Sequence, residues 1–203
     1  MKHEIPYISL TGDGPLYPPT PFPWSGSWQI DMTTVSGHDG LAKGDPMYLF
    51  GHILDHKGKP IKGAMVEVWQ ADINGHYKHP RAQNQDELDP SFLYFASVKT
   101  REDGLYLFKT IVPKWYNFLG IFRAPHIHIK VKSNDHGVVT TEMQFAGKEN
   151  DDLRKKDRVF QNNWDELQPR MVIPMEDTQK YADLGIDLDQ NAVCYKHDLA
   201  FLY

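Results

Sequence analysis

Arg123-Ala124-Pro125-His126-Ile127-His128-Ile129-Lys130-Val131 is the stretch that decides the fold. Aliphatic residues take alternate positions, at Ile127, Ile129 and Val131, and two histidines stand between them. In an extended strand, side chains at i and i+2 project from one face. The spacing predicts a strand whose aliphatic row meets a core while both imidazoles point the other way. Two neutral imidazoles side by side can take adjacent positions on a metal. They can equally be two surface histidines, and the pair alone does not choose.

Working outward, the same short β-type runs recur. Met47–Asp55 is one, closed by the turn residues His56-Lys57-Gly58-Lys59-Pro60. Ala64–Gln70 and Phe95–Thr100 follow, then Leu105–Ile111, and Asp103-Gly104 between the last two reads as a hairpin turn. Pro113-Lys114-Trp115-Tyr116 ends that run in a loop, Val138–Phe145 is a further strand, and Leu199–Leu202 a closing one. A short helical segment fits around Asp151–Phe160. Strands at short intervals, with almost no long helical pattern, predict an all-β protein, a single β-sandwich with few short helices. Six prolines between residues 1 and 26 rule out a helix there. They predict an extended proline-rich N-terminal arm over 1–46, packed on its own domain (47–203) or on a neighbouring subunit.

The 203 residues can bury a substantial core. A net charge of -5 argues against a nucleic-acid binder. Cys194 is the single cysteine, so neither an intrachain disulfide nor a thiolate zinc cluster can form. The N-terminal residues lack the apolar run of a signal peptide, and no window is apolar enough to cross a membrane. The expectation is a soluble cytoplasmic protein.

From Gly51 onward a family resemblance enters. The run Gly51, Asp55, Gly58, Pro60, Gly63-Ala64, Val66-Glu67-Val68-Trp69-Gln70-Ala71-Asp72, Gly75, Tyr77, His79 resembles the intradiol ring-cleavage dioxygenases. The likeness continues through Leu88-Asp89-Pro90, Phe92, Asp103-Gly104, Tyr106, Phe108, Thr110-Ile111, Pro113 and Tyr116 to Arg123 and His126-Ile127-His128. Gly14-Pro15-Leu16-Tyr17-Pro18 is similar to the segment preceding the domain in that family.

The resemblance implies a non-haem Fe(III) held by Tyr77, Tyr116, His126 and His128. It implies cleavage of a catechol-type ring, protocatechuate-like or a substituted catechol, by O2, between the hydroxyl-bearing carbons, to a cis,cis-muconate-type product. Tyr116 is expected to leave the metal and take a proton while the other three ligands stay. Hard phenolate oxygens suit a hard ferric ion, and a tyrosine ionises near neutrality only beside such a charge. No Asp or Glu stands in a matching His-His-carboxylate pattern. Arg123 matches a family arginine that stabilises carbanion character on the ring, although a surface salt bridge is the plainer alternative. Trp115 and Phe122 are candidate walls for the ring or simply core, and Pro15 a further wall. Glu142 stands where the family commonly has glutamine, with Gln144 two residues on; either faces the site. Tyr116 lies only seven residues before Arg123, so its loop is shorter than in familiar members. For a carboxylate on the substrate, Lys114, Tyr17 and Arg81 are candidate partners. Expected partners are a catechol-type small molecule, O2 and further copies of the chain, with no nucleic acid or membrane. The competing reading is a non-catalytic structural subunit of the same fold.

Overall fold

The computed structural model describes residues 12–162, 168–185, 188–189 and 192–201. Its strands are, in chain order, β1 (Gln29–Asp31), β2 (Pro46–Leu54), β3 (Met65–Gln70), β4 (Phe95–Lys99), β5 (Leu105–Ile111), β6 (Tyr116–Phe118) and β7 (Ile121–Arg123). They continue as β8 (His126–Ser133), β9 (Gly137–Phe145), β10 (Val172–Ile173), β11 (Met175–Glu176), β12 (Val193–Lys196) and β13 (Leu199–Ala200). Helices are short: α1 (Lys148–Arg154), α2 (Arg158–Gln161) and α3 (Gln168–Met171). The all-β expectation with few helices holds. No helix among the described residues is long and apolar enough to cross a membrane.

One sheet has the order β1-β5-β2-β12-β11, with β13 also on β2; a second has the order β10-β9-β8-β3-β4. Met47, Leu49, Ile53 and Phe108 of the first share one buried cluster with Val66, Val68, Ile127, Ile129 and Val131 of the second. The intervening residues Tyr48 and Phe50 pack on the opposite side with Leu105, Leu107, Tyr181 and Leu184. That two-sided burial explains why Met47–Phe50 is an unbroken apolar run rather than an alternating one. Gly51 is needed where β2 passes the chain before β13: a Cβ there would lie 2.1 Å from the His197 carbonyl oxygen. Gln70 ties the sheets together, donating 2.9 Å to the Ile111 carbonyl and accepting 2.9 Å from the Thr110 hydroxyl.

Three local expectations need correction. Asp103-Gly104 does not make a hairpin. The turn closes, with Gly104 N–H donating to Arg101 O, but β4 pairs with β3 and β5 with β2. The seven-residue register between β2 and β5 outweighs the local turn signal. Residues 123–131 are not one strand, because Ala124-Pro125 interrupts the ladder and proline has no N–H to give. Tyr116 lies not on a loop but on the first strand of a β6–β7 hairpin. Of the expected closing strand, Leu202 lies outside the described residues, as do the first eleven residues of the arm. Within the arm, β1 pairs in parallel with β5, and Leu16 is buried in the shared core.

Candidate metal centre

The site is assembled by three pieces of backbone. The first is the turn after β3. Asp72 organises it, its Oδ1 accepting from the Asn74 and His76 amides and its Oδ2 from the Tyr94 hydroxyl. This turn delivers Tyr77, buried at 4% exposure. Gly75, at φ +81, lets the second piece approach: a Cβ there would lie 2.5 Å from the Trp115 carbonyl oxygen. That second piece is the hairpin, whose register sets Tyr116 directly opposite Arg123. The short spacing noted in the sequence is thus two strands and a two-residue turn at Leu119-Gly120, both with positive φ. The third piece is β8 and its neighbour β9, where His128 pairs with Glu142 and His126 with Gln144.

Both faces of β8 are buried, so the imidazoles do not point to solvent. The His128 ring stacks on Trp69, its cross-strand partner, with centroids 4.7 Å apart and planes 4° off parallel. His126 Nδ1 lies 2.6 Å from the Ala124 carbonyl oxygen. A carbonyl only accepts, so Nδ1 carries the proton and Nε2 presents a lone pair. The two Nε2 atoms converge to 3.1 Å. Tyr77 and Tyr116 rings lie 5.0 Å apart, Tyr116 is 5.6 Å from His126, and Tyr77 is 6.5 Å from His128. All four side chains that the family resemblance picks out are therefore buried together.

The electrostatics favour a cation at this point. Burial holds His126 well below the usual histidine range, with the Arg123 charge adding to it. Burial does the same to His128, with His126 adding. Both rings are neutral and able to donate a lone pair. Burial pushes Tyr77 well above its usual range, with the Tyr116 charge adding, and pushes Tyr116 up to about 12. Neither phenol would ionise here without a positive partner. The Tyr77 hydroxyl and His128 Nδ1 are buried with no hydrogen-bond partner. Such orphaned groups call for a ligand, and this donor set of two phenols and two imidazoles fits a ferric ion.

Arg123 is buried and held from two sides. Its Nη2 donates 2.6 Å to Glu142 Oε2, and its Nε donates 3.2 Å to Asp157 Oδ2. Burial opposes its charge, but Glu142, Tyr116 and Asp157 together hold its pKa above the ordinary arginine value. The exposed salt bridge considered for Arg123 is instead an internal network. Asp157 went unnoticed in the sequence. It also accepts from the Ala124, Val159 and Phe160 amides, capping α2. An Asp directly before an apolar helical turn is a cap signature that could have flagged it.

Glu142 and Gln144 both lie on the imidazole side. Glu142 Oε1 accepts 2.9 Å from Gln144 Nε2. A Glu142 oxygen lies within 4.8 Å of a ring nitrogen of His126 and of His128, each a potential ligand atom. This His-His-carboxylate grouping was not recognised as a pattern, because the acid arrives through cross-strand register. Beside these groups lies a cavity of about 200 Å³ lined by Pro15, Tyr116, Arg123, His128 and Glu142, together with the apolar Phe118, Ile121 and Val159. Trp115 and Phe122 pack on each other at 5.5 Å and do not line it. Trp115 faces a larger cleft of about 590 Å³ beyond Tyr116. The arm closes one wall: Asp13 accepts 2.6 Å hydrogen bonds from Lys130 and Thr140, holding Gly14 against His128.

Comparison with known proteins agrees with this construction. Residues 13–188 match the family model described as Dioxygenase. Over 165 residues the chain is 32% identical to the protocatechuate 3,4-dioxygenase beta chain of Burkholderia cepacia, covering 78% of this chain and 69% of that one. It is 32% identical over 152 residues to catechol 1,2-dioxygenase 1 of Acinetobacter lwoffii, covering 63% of this chain and 47% of that one. It therefore spans less than half the length of that catechol dioxygenase. Hydroxyquinol 1,2-dioxygenase of Pseudomonas putida DLL-E4 shares the fold at TM-score 0.74 and 20% identity, over 98% of this chain and 68% of that one. The dioxygenase domain of a Streptomyces sp. SirexAA-E fusion protein shares it at TM-score 0.63 and 20% identity, over 96% and 97%. The class defined is an all-β ring-cleaving oxidoreductase. The chain belongs to the intradiol ring-cleavage dioxygenase family.

Proposed function

We propose that this chain is a non-haem Fe(III) intradiol dioxygenase, a β-sandwich with a proline-rich arm. It opens a catechol-type ring between its two hydroxyl-bearing carbons, and both atoms of O2 enter a cis,cis-muconate-type product. The observation that carries this reading is the buried convergence of Tyr77, Tyr116, His126 and His128, with the Tyr77 hydroxyl unpartnered. Bound ferric iron would withdraw electron density from a coordinated catecholate and expose a ring carbon to O2.

The chain's own residues do the rest. Tyr77, His126 and His128 hold their donor atoms on rigid backbone. Tyr116, on the hairpin beside Arg123, is the group that would accept a catechol proton. Arg123, fixed by two carboxylates, places a permanent charge where electron density builds on the ring. The Gly14-Pro15 wall and Phe118 limit water at the cavity. All four expected ligands are present and buried, which disfavours a purely structural subunit.

The nearness of Glu142 to the imidazoles raises a second reading, a His-His-carboxylate centre holding zinc or ferrous iron. Both Glu142 oxygens already accept from Arg123 and Gln144, which favours the tyrosine set. Iron loading discriminates between the two. The purified protein should turn wine-red from tyrosinate-to-iron charge transfer and consume O2 with a catechol. Protein that stays colourless after loading, with no O2 uptake, overturns the proposal.

A further inference from the structure

The small cavity also carries information about the ring substituent. We propose that it admits catechols bearing an uncharged, apolar substituent and excludes those bearing a carboxylate. The inference rests on the dioxygenase reading above and deepens it.

A carboxylate taken from water into a partly closed cavity needs a cation or several donors. Among the described residues, Arg123 is the one cation lining the cavity, and it is committed on two sides to Glu142 and Asp157. Asp157 also takes three backbone amides, so it is fixed and does not release the arginine. Glu142 itself is part of the wall and presents a negative charge to any incoming anion.

The side chains that sequence reasoning offered to a substrate carboxylate lie elsewhere. Lys114 lines the larger cleft beyond Tyr116. The Tyr17 hydroxyl donates 2.9 Å to Glu67. Arg81 lines neither cavity. Lys130, which holds the arm through Asp13 at 2.6 Å, lies over the Tyr17 ring. The lining also includes Phe118, Ile121, Val159 and Pro15, apolar surface that suits a methyl group or a halogen. Protocatechuate, the substrate named for one relative, carries a carboxylate on its ring. The inference therefore separates this chain from that relative's substrate.

Anaerobic titration calorimetry on the iron-loaded full chain, with 4-methylcatechol and protocatechuate as probes, reads binding without turnover. An apposed like charge in a desolvated site predicts at least about 100-fold tighter binding of 4-methylcatechol. Protocatechuate binding as tightly or more tightly overturns this inference alone. If neither probe binds, the inference falls together with the dioxygenase reading. Glu142→Gln should narrow the ratio about tenfold. Val159→Arg, adding a cation to the cavity lining, should narrow it as well. A ratio unchanged in both variants overturns the inference.

Discussion

The strand β8 and the β6–β7 hairpin each give two side chains to the same site, and they are built in opposite ways. His126 and His128 stand inside a five-stranded sheet, buried on both faces and flanked by β3 and β9. Tyr116 and Arg123 stand on a two-stranded hairpin whose tip, Leu119, is 74% exposed. An isolated two-stranded hairpin is marginal in water, whereas a central strand opens only with the domain. In the proposed reaction, the sheet would supply the fixed donors, and the hairpin the groups that let go or answer charge.

The contrast can be broken most directly at the ligands. His128→Ala should lower iron affinity at least about 100-fold and abolish the visible band, because a sheet-held donor has no substitute. Tyr116→Phe should instead retain most of the iron, read by metal analysis, while kcat falls. If the two variants lose iron equally, the division into fixed and movable halves is wrong.

The next largest effect lies where the halves meet. Asp157→Ala leaves the buried Arg123 with one carboxylate and removes the α2 cap. Breaking a buried pair costs about 3–5 kcal/mol, measured as a shift of the denaturation midpoint. Asp157→Asn should cost less, since an amide still accepts from the backbone. A loss below about 1 kcal/mol for Asp157→Ala would mean the hairpin is not anchored there.

A smaller effect sharpens the comparison by locating acid sensitivity in the sheets. His197, between β12 and β13, is buried, and burial pulls its pKa down to about 4. Once unfolded it titrates near 6.5, so below that pH the unfolded chain binds more protons. Stability is untouched above pH 6.5 and falls as pH drops from there toward 4. Between pH 7 and 5 the loss is about 2 kcal/mol by linkage. His197→Gln should flatten that slope in denaturant titrations, and an unchanged slope would place the acid sensitivity elsewhere.

Much of this molecule was legible from sequence where local pattern and burial coincide. The alternation Ile127, Ile129, Val131 marked the core face of β8, and the ordered tyrosines and histidines marked the residues that the fold gathers. What stayed hidden depends on partners distant in sequence. Glu142 becomes a neighbour of His128 only through strand register, and Asp157 reaches Arg123 across 34 positions. The strands at 172–176 and 193–196 are two to four residues long, too short for a period to show. Asp103-Gly104 misled because a turn signal says where a chain reverses, not which strand it then joins.

Tyr116 and Phe118 border both the 200 Å³ cavity and the 590 Å³ cleft. The two spaces thus share two aromatic side chains in their linings. A molecule lodged in the cleft would act as a wedge against Tyr116, hindering the release proposed for it without entering the smaller cavity. On the proposed reading, inhibitors therefore need not resemble the substrate, and such compounds would lower kcat at saturating catechol rather than compete with it.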